Sequence, residues 1–357
     1  MIDINPDGKK IILSIDGGGM RGMITIAMLA ELEAMTGKPC HKLFDMVGGT
    51  STGSIIAAGI AIGMTAEEIL QQVYRDRLPK AFPPNNIFLW LRYVFGGLRY
   101  LYDLQPFIDS VAPLVEGKKI RDLDKPIFFA TTVDVRTSST IYIVSKGPGA
   151  ALTADWPISG AVAASGAAPI YFPPVAGDLI DGGVGQYGNP CLGATIEAME
   201  YLGAAEGFTD NNVIVMSLGT GYTPNRIAQG RAAGFNLIDW IQYVIGEQID
   251  EAGLSQAYAT RAIYGGRIDF RRYNPLLTRE NVEKALGIDT TGRPDPNMLG
   301  LDSHEPEKVR LMEDIGRAYG RLIDWTQPNI NPWNTTGGHP KPNLDKFPVD
   351  WSVTPYK

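Results

Sequence analysis

The sequence predicts an α/β fold, with three layers (α/β/α) around a mainly parallel central sheet. Two observations carry that prediction. The order strand, tight turn, helix occurs twice in succession near the start. The strand-length segments are continuous apolar runs, as strands covered on both faces require. The 357 residues show no internal repeat, low-complexity tract or linker, so residues 1–325 read as one domain and 326–357 as an extended tail packed on it.

Lys10 to Ile15 (KIILSI) is the first strand, broken by Asp16-Gly17-Gly18-Gly19. From Met20, apolar Ile24, Met28, Leu32 and Met35 recur at helical spacing until Gly37-Lys38-Pro39 ends the helix. Asp45 to Gly49 is a second short strand, and the chain from Ser54 is helical and apolar on most sides. Pro126 to Val133, Ser139 to Val144 and Asn212 to Leu218 are strands rich in β-branched and aromatic residues. Ile158 to Ser165 is a helix of small residues able to lie close against a sheet. Pro306 to Trp325 is an amphipathic helix with Val309, Met312, Ile315, Tyr319 and Leu322 on its apolar stripe, and Pro306 suits its first turn.

Composition narrows the function. A net charge of -7 argues against a nucleic-acid partner, because phosphate binding needs a basic face. Cys40 and Cys191, the two cysteines, have neither metal-ligand nor redox spacing and read as buried thiols. The start, MIDINPDGKK, has no apolar stretch of the signal-peptide kind, and the longest apolar run, Ser54 to Met64, is too short to span a bilayer. The expected compartment is the cytoplasm.

Gly17-Gly18-Gly19-Met20-Arg21-Gly22 matches G-x-G-x-x-G between a strand and a helix, the pattern of a dinucleotide site. That reading, a nucleotide-binding oxidoreductase, expects an acidic residue at the end of the next strand. Here that strand ends in Gly48-Gly49-Thr50-Ser51, with Asp45 at its start. The loop has a more general use. Successive backbone amides at a helix N-terminus hold any anion, including a developing oxyanion, and glycines let substrate approach them. Arg21 either adds positive charge or ties the loop to its surroundings.

Gly49-Thr50-Ser51-Thr52-Gly53 is G-x-S-x-G at a strand-to-helix turn, the setting of a nucleophilic serine. A serine needs a base. His41, His304 and His339 fall in connecting or irregular segments and read as surface or structural residues. Asp181-Gly182-Gly183 follows a short strand-like segment, Ala176 to Ile180, and its glycines leave the carboxylate room to face a substrate. An unperturbed aspartate, with a pKa of about 3.9, is a weak base, but burial raises that value and an oxyanion site lowers the barrier from the other side.

Asp16 to Gly22, then Gly49 to Gly53, then Asp181 to Gly183 together resemble the patatin-like phospholipase family. Ala164-Ser165-Gly166-Ala167-Ala168-Pro169, Phe172-Pro173-Pro174, Asn189-Pro190 and Ser217 to Gly221 are similar too, so the resemblance runs over about residues 10–325. It implies a lipid acyl hydrolase with a Ser51–Asp181 dyad, an oxyanion hole of Gly17, Gly18 and Gly19 supported by Arg21 and Gly22, and no cofactor or metal. Gln186-Tyr187-Gly188 departs from the asparagine-rich stretch expected before Asn189-Pro190. Some bacterial members are switched on by nucleotide second messengers, and the unassigned C-terminal third is where a sensor is to be sought.

The expected partner is a lipid, met at a membrane surface through Phe82 to Tyr102, a stretch dense in aromatics with Arg92 and Arg99 between them. A second alternative is a catalytically inactive lipid-binding module on the same fold.

Overall fold

The computed structural model describes residues 1–82, 100–223 and 230–327. A seven-stranded sheet lies at its centre. The strands are β1 (Lys10–Ile15), β2 (Met46–Gly49), β3 (Ile127–Asp134), β4 (Ser139–Val144), β5 (Leu179–Asp181), β6 (Val213–Leu218) and β7 (Asp269–Tyr273). They run in the order β4-β3-β2-β1-β6-β7, with β5 also paired to β3. β3, β2, β1, β6 and β7 are mutually parallel, and β4 and β5 join β3 antiparallel.

The apolar runs alternate between two cores because successive strand residues face opposite ways. Ile11, Leu13, Ile15, Val47, Phe128, Ala130, Ile214 and Met216 belong to one; Ile12, Met46, Phe129, Val213 and Val215 belong to the other. Helices Gly22–Thr36, Thr52–Ala61, Ile158–Gly166 and Pro306–Leu322 cover the first face. Cys191–Ile196 and the end of Leu237–Tyr264 cover the second. The α/β expectation holds, with a helical layer on either side.

Local detail follows the sequence closely in the first half. Helix Gly22–Thr36 stops at Gly37, which adopts φ 68 and donates its amide to Glu33 O at 2.8 Å. Its first nine residues are buried all round, and helix Pro306–Leu322 packs closely along it. Pro306 occupies the first turn of that helix as expected. Two details differ: the helix ends at Leu322, whose side chain is exposed, and Trp325 beyond it is buried against Tyr273.

Several elements were not expected, among them helix Leu104–Val115, which contains Pro113, helix Cys191–Ile196, the 28-residue helix Leu237–Tyr264, and β7, which reads DFRRY. Residues 83–99, which contain most of the proposed lipid-contact stretch, and tail residues 328–357 lie outside the described residues. The ends of that stretch are buried: Phe82 and Tyr102 pack edge-on at 5.4 Å and both meet Phe172. Among the described residues, no helix is long and apolar enough to cross a membrane.

Candidate active site

Parallel strands place all their carboxyl ends at one edge, and the strand order reverses on either side of β1. The glycine loop leaves β1 there, Ser51 leaves β2 and Gly219-Thr220 leaves β6. Asp181 joins them at the end of β5, in register with Thr132 of β3.

Ser51 sits at φ 55, ψ −125, a conformation unusual for a side-chain-bearing residue and characteristic of a sharp, strained turn. The neighbouring glycines make the turn sterically possible: a Cβ at Gly49 would meet Gly53 O, and one at Gly53 would meet Ile15 O. The Ser51 amide donates to Ser165 Oγ at 3.0 Å, and Ser54 Oγ donates to Ser51 O at 2.7 Å. Helix Thr52–Ala61 starts at the next residue, so its positive end faces Ser51.

Asp181 is 6% exposed. Its Oδ1 accepts the Gly183 amide at 2.7 Å, and Ser51 lines the same cleft beside it. Burial pushes its pKa up from 3.8 to about 6, against the Gly183 amide and the nearby Ser51 hydroxyl, which favour the charged form. A carboxylate poised there is ionised at neutral pH yet far more basic than a solvated aspartate.

Of the three loop glycines, Gly17 has its amide engaged: it donates to Gly188 O at 2.7 Å, while its carbonyl accepts Thr220 Oγ1 at 2.8 Å. No backbone carbonyl of the described residues accepts from Gly18 or Gly19. Of the expected trio, Gly18 and Gly19 are thus the two whose amides have no backbone acceptor among the described residues. Arg21 is buried in the single turn Gly19–Arg21, and Gly22 lies tight against Thr52 and Tyr74. Tyr187, in the stretch that departs from the family pattern, packs edge-on against Tyr142 at 5.4 Å.

Ser51, Asp181 and the glycine loop line one cleft. Its remaining walls are mostly apolar: Ile55, Leu78, Phe82, Phe107, Tyr171 and Phe172. A polar reacting end and an apolar body suit an ester with a long acyl chain. His41 lies in the short helix Cys40–Leu43 and His304 Nδ1 pairs with Asp302 O; neither lines the cleft, and His339 is outside the described residues. Among the described residues no His, Cys, Asp and Glu cluster fit to hold a metal occurs. Asp45 binds Lys10 Nζ at 2.9 Å and the Ile11 amide at 3.0 Å, at the opposite end of the sheet from the glycine loop. It therefore cannot act as the ribose ligand that a dinucleotide site needs.

Sequence reasoning missed Ser165 as partner of the Ser51 amide, although its motif was noted. It also missed the Arg272 guanidinium, which pairs with Asp16 at the base of the glycine loop.

The sequence is similar to several known phospholipases. A 246-residue stretch is 29% identical to an intracellular phospholipase A2 of Caenorhabditis elegans, covering 64% of this chain and 21% of that protein. A 69-residue stretch is 48% identical to a cUMP-AMP-activated phospholipase of Escherichia coli, covering 19% of this chain and 21% of the relative. A cGAMP-activated phospholipase of Escherichia coli strain TW11681 is 27% identical over 245 residues, 63% of this chain and 67% of that protein. The chain thus spans about a fifth of the length of the first two relatives. The patatin-like phospholipase model matches residues 13–195, half of the chain, and takes in the glycine loop, the serine turn and the Asp-Gly-Gly. With those three motifs gathered at one cleft, this protein belongs to the patatin-like phospholipase family.

Proposed function

We propose that the protein is a serine lipid acyl hydrolase of the phospholipase A or lysophospholipase type, with Ser51 as nucleophile and Asp181 as base. The observation that carries this reading is Ser51, strained on its turn and sharing the polar end of an apolar cleft with the buried Asp181.

Ser51 Oγ attacks the ester carbonyl as Asp181 takes its proton. The carbonyl oxygen becomes an oxyanion held by the Gly18 and Gly19 amides. The tetrahedral intermediate collapses to an acyl ester on Ser51, and Asp181 returns the proton to the departing alcohol. Water then attacks the acyl ester, giving its proton to Asp181. Collapse releases the fatty acid, and Asp181 reprotonates Ser51.

The test is fatty-acid release from lysophospholipid and diacyl phospholipid vesicles, beside a short soluble ester. Wild type should release acid, and Ser51→Ala and Asp181→Asn should lose release on every substrate. Turnover equal to wild type in Ser51→Ala refutes the assignment.

Two relatives are named for activation by cyclic nucleotides, which supports a latent enzyme awaiting such an activator. Added cGAMP or cUMP-AMP should then raise release, and equal rates with and without them refute this extension. Substrate is met at a membrane surface, with the aromatic residues of 83–99 as the proposed contact; Trp90→Ser with Phe95→Ser should weaken vesicle binding and spare the soluble ester.

A further inference from the structure

Arg272, on β7, is 2% exposed and does not line the cleft. Its Nη1 and Nη2 fork onto Asp16 Oδ1 at 2.8 Å and Oδ2 at 2.5 Å, and Nη1 also donates to Ser217 Oγ at 2.9 Å. Because a guanidinium has no acceptor, the Ser217 hydroxyl accepts from it and spends its own proton on Asn189 Oδ1, 3.3 Å away. Asn189 Oδ1 also accepts Ser14 Oγ at 3.4 Å and the Cys191 amide at 3.0 Å, and its Nδ2 donates to Gly253 O at 3.2 Å.

The network ends on two neighbouring segments. Asp16 directly precedes the glycine loop, and Asn189 directly follows Gly188, the acceptor of the Gly17 amide. A buried ion pair is poor evidence of stabilisation, since desolvation offsets the attraction. Here Arg272 Nε is moreover buried with no partner among the described residues. What the planar fork supplies, and an ammonium cannot, is fixed geometry.

We propose that Arg272 is a positioning residue: through Asp16 and Ser217–Asn189 it holds the glycine loop and the Gly188–Asn189 turn in one register, aiming the Gly18 and Gly19 amides at the oxyanion formed on Ser51. The inference rests on the acyl-hydrolase reading of that site. Loss of one oxyanion donor costs about 100-fold or more in turnover, which sets the scale.

The test uses Arg272→Met, Arg272→Lys and Ser217→Ala in the full chain, with competent sites counted by stoichiometric fluorophosphonate labelling. Per competent site, Arg272→Met should lose about 100-fold in kcat on a soluble ester, with KM within about threefold of wild type. Affinity for an acyl trifluoromethyl ketone, which binds Ser51 as an oxyanion, should fall in step with kcat/KM. Arg272→Lys should recover only part of the loss. Ser217→Ala, which keeps the ion pair and guards against an unfolded arginine variant, should lose about tenfold. Hydrogen exchange in substrate-free protein should quicken at 16–20 and 186–191 and stay unchanged in β1 and β6.

Wild-type kcat and ketone affinity per competent site, or unchanged exchange in both segments, would overturn the inference. A wild type that hydrolyses no ester and takes no probe, with cGAMP or cUMP-AMP added or not, overturns the acyl-hydrolase reading instead, and the exchange measurement still decides the positioning.

Discussion

Burial that raises the Asp181 pKa to about 6 has consequences for both activity and stability. As the proposed base, Asp181 works only when ionised, so kcat/KM for a soluble ester should rise through pH 6 and level off above it; a profile flat from pH 5 to 8 contradicts this. Stability runs the other way. The folded protein binds the Asp181 proton more tightly than the unfolded chain, so the protonated form favours folding below about pH 4. That advantage is lost as pH rises through 6, leaving a cost of about 3 kcal/mol at neutral pH. Asp181→Asn should therefore lose activity yet raise Tm at pH 7.5, and the Tm gain should vanish near pH 4. Ser165→Ala leaves the Ser51 amide without its acceptor, at about 1–3 kcal/mol, and should lower kcat about tenfold by loosening the turn. At this scale Ser51 and Asp181 stood out in the sequence because each sits in a glycine-marked turn, and a Cβ at Gly49, Gly53 or Gly182 would strike a neighbour. The engagement of the Gly17 amide was not, since its acceptor Gly188 lies far along the chain.

Elements were legible where burial is apolar. β1, β3 and β6 announce themselves by continuous apolar runs, and each formed close to its expected limits. β7 did not, because its charges are used inside the protein: Arg271 pairs with Asp269 and donates to Trp325 O and Ile4 O, and Arg272 pairs with Asp16. Such a strand looks like a surface segment until its partners are known. The last helix shows the opposite error. Its stripe was carried one turn too far, onto exposed Leu322, while Trp325 turned inward to stack on Tyr273 at 5.1 Å and bond Gly320 O at 2.9 Å. Trp325→Ala should cost about 3–5 kcal/mol in urea unfolding, and a loss below 1 kcal/mol would show that this contact does not anchor the chain end. Helix Pro306–Leu322 approaches helix Gly22–Thr36 through Gly316, where a Cβ would strike Ile24 O. Gly316→Ala should therefore destabilise by about 1–3 kcal/mol, although alanine is the better helix former.

The whole molecule gathers at one edge of the sheet residues that the chain keeps far apart. Periodicity supplied the α/β class, but strand order cannot be read from it, and strand order is what brings Asp181 to Ser51. Side-by-side placement of β1, β2 and β6 puts the glycine loop, the serine turn and Thr220 together, and the pairing of β5 with β3 delivers Asp181. The most direct test of this arrangement is labelling by a fluorophosphonate probe, followed by mass spectrometry of the modified peptide. The account predicts stoichiometric modification at Ser51, abolished in Ser51→Ala and slowed at least 100-fold in Asp181→Asn, as loss of a general base requires. Modification of another residue, or undiminished labelling of Ser51→Ala, would contradict it.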